Sequence, residues 1–311
     1  MESMMESIFA HMVFADFGGE AIRRAPFATE RIVVENVRGY RVRLPVTGAE
    51  AANDRPAAEA AVRRAMSALA SMDVSVALPP EGFAACAEGF LPLARGTDTL
   101  PFLLPRAVKK ALSAIGRELP QCEFAVLCDD TALSVRVLER LSREAGIRFL
   151  SAVGGAEALE PLREATARTY RETGLNIVLS EQRRQTLARA DVVIHTAPPS
   201  ADFTALYRKN AVCLDLSGSR GMTAALLARR GDVLAADGLY ASLGKTTLPH
   251  DVLSLVLYGK SAAFARLVRE GGGTAAEEEA HADIRALRVS VAAYMQAGRA
   301  LSVAALARRM K

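Results

Sequence analysis

The sequence predicts an α/β protein whose main sheet is doubly wound and mostly parallel, and three observations lead to this fold class. Short apolar segments alternate with amphipathic helical segments between residues 122 and 239. Several of the short segments contain continuous apolar runs, such as FAVLC and the IVL of NIVLS, which is expected of strands that helices cover on both faces. The helical segments are long enough to serve as right-handed crossovers, so consecutive strands should lie parallel in one sheet.

The first 105 residues are predicted to form a smaller α/β domain of their own. Apolar residues near the start recur close to helical spacing, which predicts a helix within the first 30 residues. The segments IVVENV and YRVRL predict a β-hairpin over 31–44 with its turn at Gly39. A helix that opens near Pro56 and a strand over 74–78 complete this domain.

Residues 106–260 are predicted to form the doubly wound sheet, which a helix over 104–117 joins to the first domain. The predicted strands are 124–128, 148–153, 176–180, 191–196, 211–216 and 232–236. Residues 261–311 are predicted to be helices that pack on either domain or at a dimer interface, with a hinge at 271–273.

Composition limits the classes of partner. The formal net charge is only +4, aromatic residues make up 5% and tryptophan is absent, so stacking on single-stranded nucleic acid is not expected. The four cysteines form no CxxC pair and the four histidines are far apart, so no metal site is predicted and a reducing compartment fits best. The start lacks a signal-peptide pattern and no apolar run could span a membrane. We therefore expect a cytoplasmic protein that binds a small-molecule ligand rather than nucleic acid or a membrane, with a homodimer as an option.

Ligands of such sheets bind beyond the carboxyl ends of the strands. The loop after the first strand of the sheet reads CDDTALS, with Asp129 and Asp130 where a dinucleotide site has glycines. Two carboxylates there would repel a diphosphate. They are also explained as caps of the next helix, or as ligands of a metal or another cation. This stretch resembles the start of response-regulator receiver domains, which hold Mg²⁺ with an acidic pair, but the third strand ends in Ser180 instead of the phosphorylated aspartate and the expected lysine is missing.

The segments ADVVIHTAPPS, NAVCLDLSGSRG and GDVLAADGLYASLGKTTLP resemble the closing half of the NAD(P) domain of shikimate dehydrogenases, methylenetetrahydrofolate dehydrogenases and dipicolinate synthases. The resemblance covers about Thr97 to Lys260 and implies a Rossmann-like fold that binds NAD or NADP. The residues that it assigns to the cofactor, together with two candidates after the first and second strands, are Thr131, Glu157, Thr196, Ala197, Pro198, Asp215, Ser217, Gly218, Gly238 and Leu239.

Two residues are candidates for proton transfer. The segment RGTDTLPF resembles the Asn-Thr-Asp region of shikimate dehydrogenases, which would make Asp98 an acid partner on the substrate, although Asp98 also suits a turn. His195 ends a buried strand and could donate a proton, or could simply hydrogen-bond a carbonyl group. The segment VSVALPPE lacks the catalytic lysine of that family.

These observations leave two functional hypotheses open. One is an NAD(P)-dependent oxidoreductase acting on a small polar acid, whether still active or degenerate. The other is a non-catalytic Rossmann-like module for binding, sensing or assembly.

Overall fold

The computed structural model describes residues 7–16, 27–197, 203–218, 221–271 and 274–309. The chain forms two compact units, of which the first comprises Met1–Asp98 with Leu243–Val289 and the second Thr99–Ser242 with Ser290–Lys311. The boundaries predicted after residues 105 and 260 follow chain order, whereas each observed unit is made of two separate segments.

In chain order, the strands are Ile8–Ala15 (β1), Ala28–Val34 (β2), Val37–Thr47 (β3), Val74–Leu78 (β4), Glu123–Leu127 (β5), Phe149–Val153 (β6), Ile177–Ser180 (β7), Val192–His195 (β8), Val212–Asp215 (β9), Leu234–Ala236 (β10), Gly238–Leu243 (β11), Thr246–Pro249 (β12), Ser290–Gln296 (β13) and Arg299–Ser302 (β14).

The α-helices are Gly48–Asn53 (α1), Arg55–Ala70 (α2), Ala84–Ala87 (α3), Gly96–Ala114 (α4), Thr131–Ser142 (α5), Ala156–Leu159 (α6), Leu162–Thr173 (α7), Arg183–Arg189 (α8), Gly221–Arg229 (α9), His250–Lys260 (α10), Ala262–Glu270 (α11), Thr274–Ala286 (α12) and Val303–Arg309 (α13). Single 3₁₀ turns occur at Leu119–Gln121 and Thr204–Leu206.

The first unit contains a mixed sheet in the order β2-β3-β1-β4. Strands β1, β3 and β4 are parallel, and β2 pairs antiparallel with β3 as the predicted hairpin. The hairpin is confirmed, but its turn lies at Glu35 and Asn36, which have positive φ angles of 47° and 65°. Gly39 lies inside β3, where an added Cβ would come within 2.5 Å of the ring of Phe9, so the close approach of that ring requires glycine.

The helix predicted for the first 30 residues is wrong for the described part of that segment, because Ile8–Ala15 is a strand in the interior of this sheet. Phe9, Ala10 and Met12 are buried, and β1 has partner strands on both sides. A strand buried on both faces shows no alternation of apolar and polar residues. Its apolar spacing therefore resembled that of a helix.

The second unit confirms the predicted doubly wound parallel sheet. Its six strands are all parallel in the order β10-β9-β8-β5-β6-β7. From β5 the chain winds outward through β6 to β7, and it then returns to β8 and winds the other way to β10. This is the Rossmann strand order, and the direction of winding reverses between β5 and β8.

The prediction that residues 261–311 are helical is only partly right. Helices α11, α12 and α13 are present, but β13 and β14 between them form an antiparallel hairpin through the turn at Ala297 and Gly298. Strand β13 also pairs antiparallel with β11. The Tyr294 hydroxyl is buried and donates to the carbonyl oxygen of Ala107 at 2.6 Å, which fixes the hairpin within the second unit.

Of the predicted hinge at 271–273, only Gly271 lies within the described residues. It ends α11 in the left-handed conformation, with a φ of 76°, and its backbone N–H donates to the Leu267 carbonyl oxygen. None of the helices within the described ranges combines the length and apolar character that crossing a membrane requires.

Candidate functional site

The carboxyl ends of the parallel strands in the second unit meet at one edge of the sheet, which we call the carboxyl rim. His195 and Asp215 are the last residues of β8 and β9 and are register partners across these strands. Side chains at paired positions of adjacent strands lie on the same face of a sheet. The structure therefore brings two predicted site residues together beside the point where the winding reverses.

His195 is fully buried at this edge. Its Nε2 atom lies 2.6 Å from the hydroxyl of Tyr207, and its Nδ1 atom has no hydrogen-bond partner among the described residues. Burial lowers the pKa of the imidazole to about 3, because a charged ring would lose its hydration there. The ring is consequently neutral near pH 7 and is not an imidazolium acid.

Asp215 is also fully buried, and one of its carboxylate oxygens is engaged locally. Its Oδ1 atom accepts hydrogen bonds from the backbone N–H of Ser217 at 3.0 Å and from the Ser217 hydroxyl at 2.5 Å. The Oδ2 atom has no partner within the described part of the chain. Burial raises the pKa of this carboxyl group, and the two bonds from Ser217 oppose that shift.

Thr196 cross-links the two strands on either side of the reversal. Its hydroxyl donates to the Leu127 carbonyl oxygen at 2.7 Å and lies 2.9 Å from the hydroxyl of Ser134 on α5. The backbone N–H of Asp130 donates to the same Thr196 oxygen at 3.4 Å. Thr196 is 2% exposed, so its hydroxyl is committed to the protein interior and is not free to contact a cofactor.

The two aspartates after β5 have different environments. Asp130 is the N-cap of α5, where its Oδ1 accepts from the backbone N–H of Leu133 at 2.9 Å, as one of the sequence-based alternatives proposed. Asp129 forms an ion pair with Arg183, whose Nη2 lies 3.0 Å from its Oδ1. Within the described ranges, no group of three or more His, Cys, Asp or Glu side chains is arranged to hold a metal ion.

Cys128 precedes these aspartates and is buried. Burial raises the pKa of its thiol to about 11, so the thiol stays protonated and unreactive near neutral pH. The cysteines are all free, and Cys128 packs as a small apolar side chain.

The remaining predicted cofactor residues are distributed unevenly. Thr131 and Glu157 are exposed in the first turns of α5 and α6, and Ala197, Ser217 and Gly218 are partly exposed after β8 and β9, so these lie along the carboxyl rim. Gly238 and Leu239 instead lie in β11, buried and paired with β13. Pro198 falls outside the described residues.

Asp98 belongs to the first compact unit, whereas the residues along the carboxyl rim belong to the second. It is partly buried in the first turn of α4, and its Oδ2 accepts from the backbone N–H of Arg95 at 2.7 Å. This is the turn-forming role that the sequence offered as an alternative, and it leaves a proton-transfer role untested.

A cavity of about 660 Å³ lies at the opposite edge of the sheet. It is lined by residues 142–148 and 173–176, which precede β6 and β7. No predicted site residue contributes to it. In open α/β sheets ligands bind at the carboxyl ends of the strands, so the cavity does not define the site.

Sequence reasoning missed Arg183. Its charge looked like that of a solvated surface arginine, and its carboxylate partner is 54 residues away in the chain. The Asp237 side chain was missed as well, although it is buried and accepts from the backbone N–H of Ala297 at 2.9 Å. No local pattern could have revealed either contact, because each joins distant segments.

Two observations bear on the binding of a dinucleotide along the rim. Gly155, which follows β6, is exposed, and an added Cβ there would meet no atom of the described residues within 4 Å, so none of them blocks a ligand beside the strand that carries the ribose contact in such folds. The charge of Asp129, one of the two carboxylates expected to repel a diphosphate, is matched by that of Arg183.

The sequence matches no family model, and no curated protein matches it. Among solved structures, L-tryptophan dehydrogenase of Nostoc punctiforme matches at 11% identity over 91% of this chain and 90% of its own, with a TM-score of 0.36. Shikimate dehydrogenase of Mycobacterium tuberculosis matches at 17% identity over 60% and 62% of the two chains, with a TM-score of 0.31.

A Δ¹-pyrroline-2-carboxylate reductase of Thermococcus litoralis, solved with NADH and L-proline, matches at 12% identity with a TM-score of 0.29. The match covers 39% of this chain and 36% of the reductase. Carbamoyltransferases are also among the similar structures. At these identities and TM-scores the likeness carries no functional conclusion, so function has to be argued from this chain's own residues.

Proposed function

We propose that this chain is an NAD(P)-dependent oxidoreductase that acts on a small polar acid. The observation that carries the proposal is the strand order β10-β9-β8-β5-β6-β7, whose reversal between β5 and β8 creates the crevice in which such sheets bind nucleotides. The resemblance of the segments after β8, β9 and β10 to NAD(P) domains supports the same ligand.

In this proposal the dinucleotide lies along the carboxyl rim. Glu157 and the open space beside Gly155 are at the ribose end, Thr131 begins the helix at the centre, and Ala197 and Gly218 follow β8 and β9 at the nicotinamide end. The bound nicotinamide would supply or accept the hydride.

Two residues of the chain are assigned the other roles that the reaction needs, which are positioning and proton transfer. The buried, neutral imidazole of His195 holds Tyr207 and the end of β8, so we assign it a positioning role. Asp98 is retained as the candidate for proton transfer to a small polar acid, on the strength of the segment RGTDTLPF alone.

The proposal is tested with two matched leucine substitutions. Gly155 lies at the carboxyl rim and Gly231 precedes β10 at the opposite edge, and at each position an added Cβ meets nothing within 4 Å. Gly155→Leu fills the proposed ribose region, whereas Gly231→Leu leaves it untouched. We expect NAD⁺ or NADP⁺ to raise the melting temperature of the parent and of Gly231→Leu, and to have a much smaller effect on Gly155→Leu.

Two results would count against the proposal. If neither dinucleotide at millimolar concentration shifts the melting of the parent protein, the cofactor assignment fails. If Gly155→Leu and Gly231→Leu respond alike, the ligand does not occupy the carboxyl rim beside β6.

The second candidate function is a non-catalytic binding module. It is favoured by the loop after β5, where the acidic residues replace the glycines of a dinucleotide site, and by the commitment of the Thr196 hydroxyl to the interior. A protein that binds NAD(H) but transfers no hydride to or from any small hydroxy, keto or amino acid, followed by nicotinamide absorbance, would support this candidate.

A further inference from the structure

Arg183 lies where the winding of the parallel sheet reverses. It begins α8, and its guanidinium contacts residues that flank the reversal on both sides. Its Nη2 atom lies 3.0 Å from Oδ1 of Asp129, which follows β5, and its guanidinium carbon lies 5.7 Å from the ring centre of Phe203, which follows β8. A cation therefore sits in the crevice that the strand order creates.

Most of the hydrogen-bonding capacity of this guanidinium is unused. An arginine has five N–H donors, and among the described residues the Arg183 side chain makes one hydrogen bond, to Asp129. Its side chain is 26% exposed, so the other donors can reach a ligand. Arg230 shows the contrast, because its guanidinium donates to both carboxylate oxygens of Asp232 and to the carbonyl oxygens of Thr204 and Tyr207.

We propose that Arg183 is the anion-recognising residue of this crevice, that its ligand is a phosphate or diphosphate group, and that Asp129 holds the guanidinium in position until this ligand replaces it. A planar guanidinium with parallel free N–H groups matches the oxygens of a phosphate in two simultaneous hydrogen bonds. The Phe203 ring restricts the guanidinium from one side, which reduces the conformational freedom lost on binding. In relation to the dinucleotide this inference rests on the proposed function, but it names a residue that the resemblance to NAD(P) domains does not assign.

The experiment compares Arg183→Ala with Arg184→Ala. Both remove one positive charge from the first turn of α8, but Arg184 is exposed and makes none of the contacts of Arg183. Inorganic pyrophosphate and NAD⁺ are titrated separately into each full-length variant by calorimetry. We expect Arg183→Ala to weaken the binding of both probes roughly 10- to 100-fold, and Arg184→Ala to change it less than about threefold.

Two further variants test the geometry. Arg183→Lys keeps the charge without the planar fork and should lose part of the affinity, and it replaces Arg183→Ala if that variant fails to fold. Asp129→Asn removes the competing carboxylate and should bind pyrophosphate several-fold more tightly, because the guanidinium no longer leaves an ionic partner.

The outcomes separate this inference from the proposed function. Binding of pyrophosphate that depends on Arg183, without any binding of NAD⁺ or NADP⁺, supports the inference and removes the dehydrogenase proposal. Binding of NAD⁺ that is equal in Arg183→Ala and Arg184→Ala overturns the inference and leaves the dehydrogenase proposal standing. If millimolar pyrophosphate does not bind the parent protein, the inference is overturned whatever NAD⁺ does.

Discussion

The buried histidine at the end of β8 makes the stability of the protein depend on pH in a calculable way. The pKa of His195 falls from 6.5 to about 3 on folding, because burial penalises the charged ring. For a lowered pKa the stabilising contribution is complete above the unfolded-state pKa and is lost as the pH falls from that value toward the folded-state pKa. The unfolded chain takes up a proton in this window and the folded chain does not.

The size of the effect follows from proton linkage. Between about pH 7 and pH 5 the folded state loses roughly 2 kcal/mol relative to the unfolded state, and the limit near or below pH 3 is roughly 5 kcal/mol. In His195→Gln the side chain does not titrate, so this part of the loss should disappear. Asp215 has a raised pKa and therefore acts in the opposite direction, but it is common to both proteins and cancels in their difference.

Urea unfolding at about pH 7 and pH 5 measures this difference. Circular dichroism is the suitable signal because the chain contains no tryptophan. If the parent and His195→Gln lose the same free energy of unfolding between the two pH values, His195 is not held neutral by burial and its assignment as a positioning residue fails.

Two further substitutions test packing in each unit. Tyr207→Phe removes the partner of the His195 Nε2 atom and should cost about 1–3 kcal/mol in urea unfolding, because a buried polar atom is left unsatisfied, whereas Tyr170→Phe at an exposed position should be close to neutral. Gly259→Ala should destabilise the first unit by about 1–3 kcal/mol despite the helical preference of alanine, because the new Cβ would lie 2.5 Å from the Val37 Cγ1 atom. Val37→Ala should recover part of that loss in the double variant, and equal costs with and without Val37 would contradict the clash.

The parallel sheet could be predicted because each of its strands has a recognisable pattern within its own short segment of sequence. A strand covered on both faces has to be apolar along most of its length, and β5, β8 and β9 each show such a run near the predicted position, with a polar residue only at one end. The same rule explains the error at β1, whose buried faces produced a spacing that looked helical. The hairpin β13–β14 was missed because its turn, Ala297 and Gly298, lacks the Asn-Gly or Asp-Gly signal that identifies two-residue turns.

The sequence predicted where the candidate site residues lie along the strands better than it predicted which way their side chains point. His195, Thr196 and Asp215 do lie at strand ends on the carboxyl rim, as the strand pattern requires. Which way a side chain turns depends on partners far away in the chain, such as Leu127 for the Thr196 hydroxyl, 69 residues earlier. Such pairings cannot be deduced from a single sequence, so the hydrogen-bond partner of His195, Tyr207, was found only in the structure.

The contacts of the acidic loop after β5 change the interpretation of its two aspartates. Asp130 is occupied as a helix cap, and the charge of Asp129 is balanced by Arg183, so the loop is not the uncompensated acidic pair that the sequence suggested. The Asp129 carboxylate makes one hydrogen bond to the Arg183 guanidinium, whereas a phosphate can make two, each worth about 1.5–3 kcal/mol. An incoming phosphate therefore gains more from Arg183 than Asp129 loses. These magnitudes favour replacement of the Asp129 carboxylate by the phosphate. The acidic loop after β5, which was the strongest sequence argument against a phosphate ligand, therefore holds Arg183 in place for such a ligand.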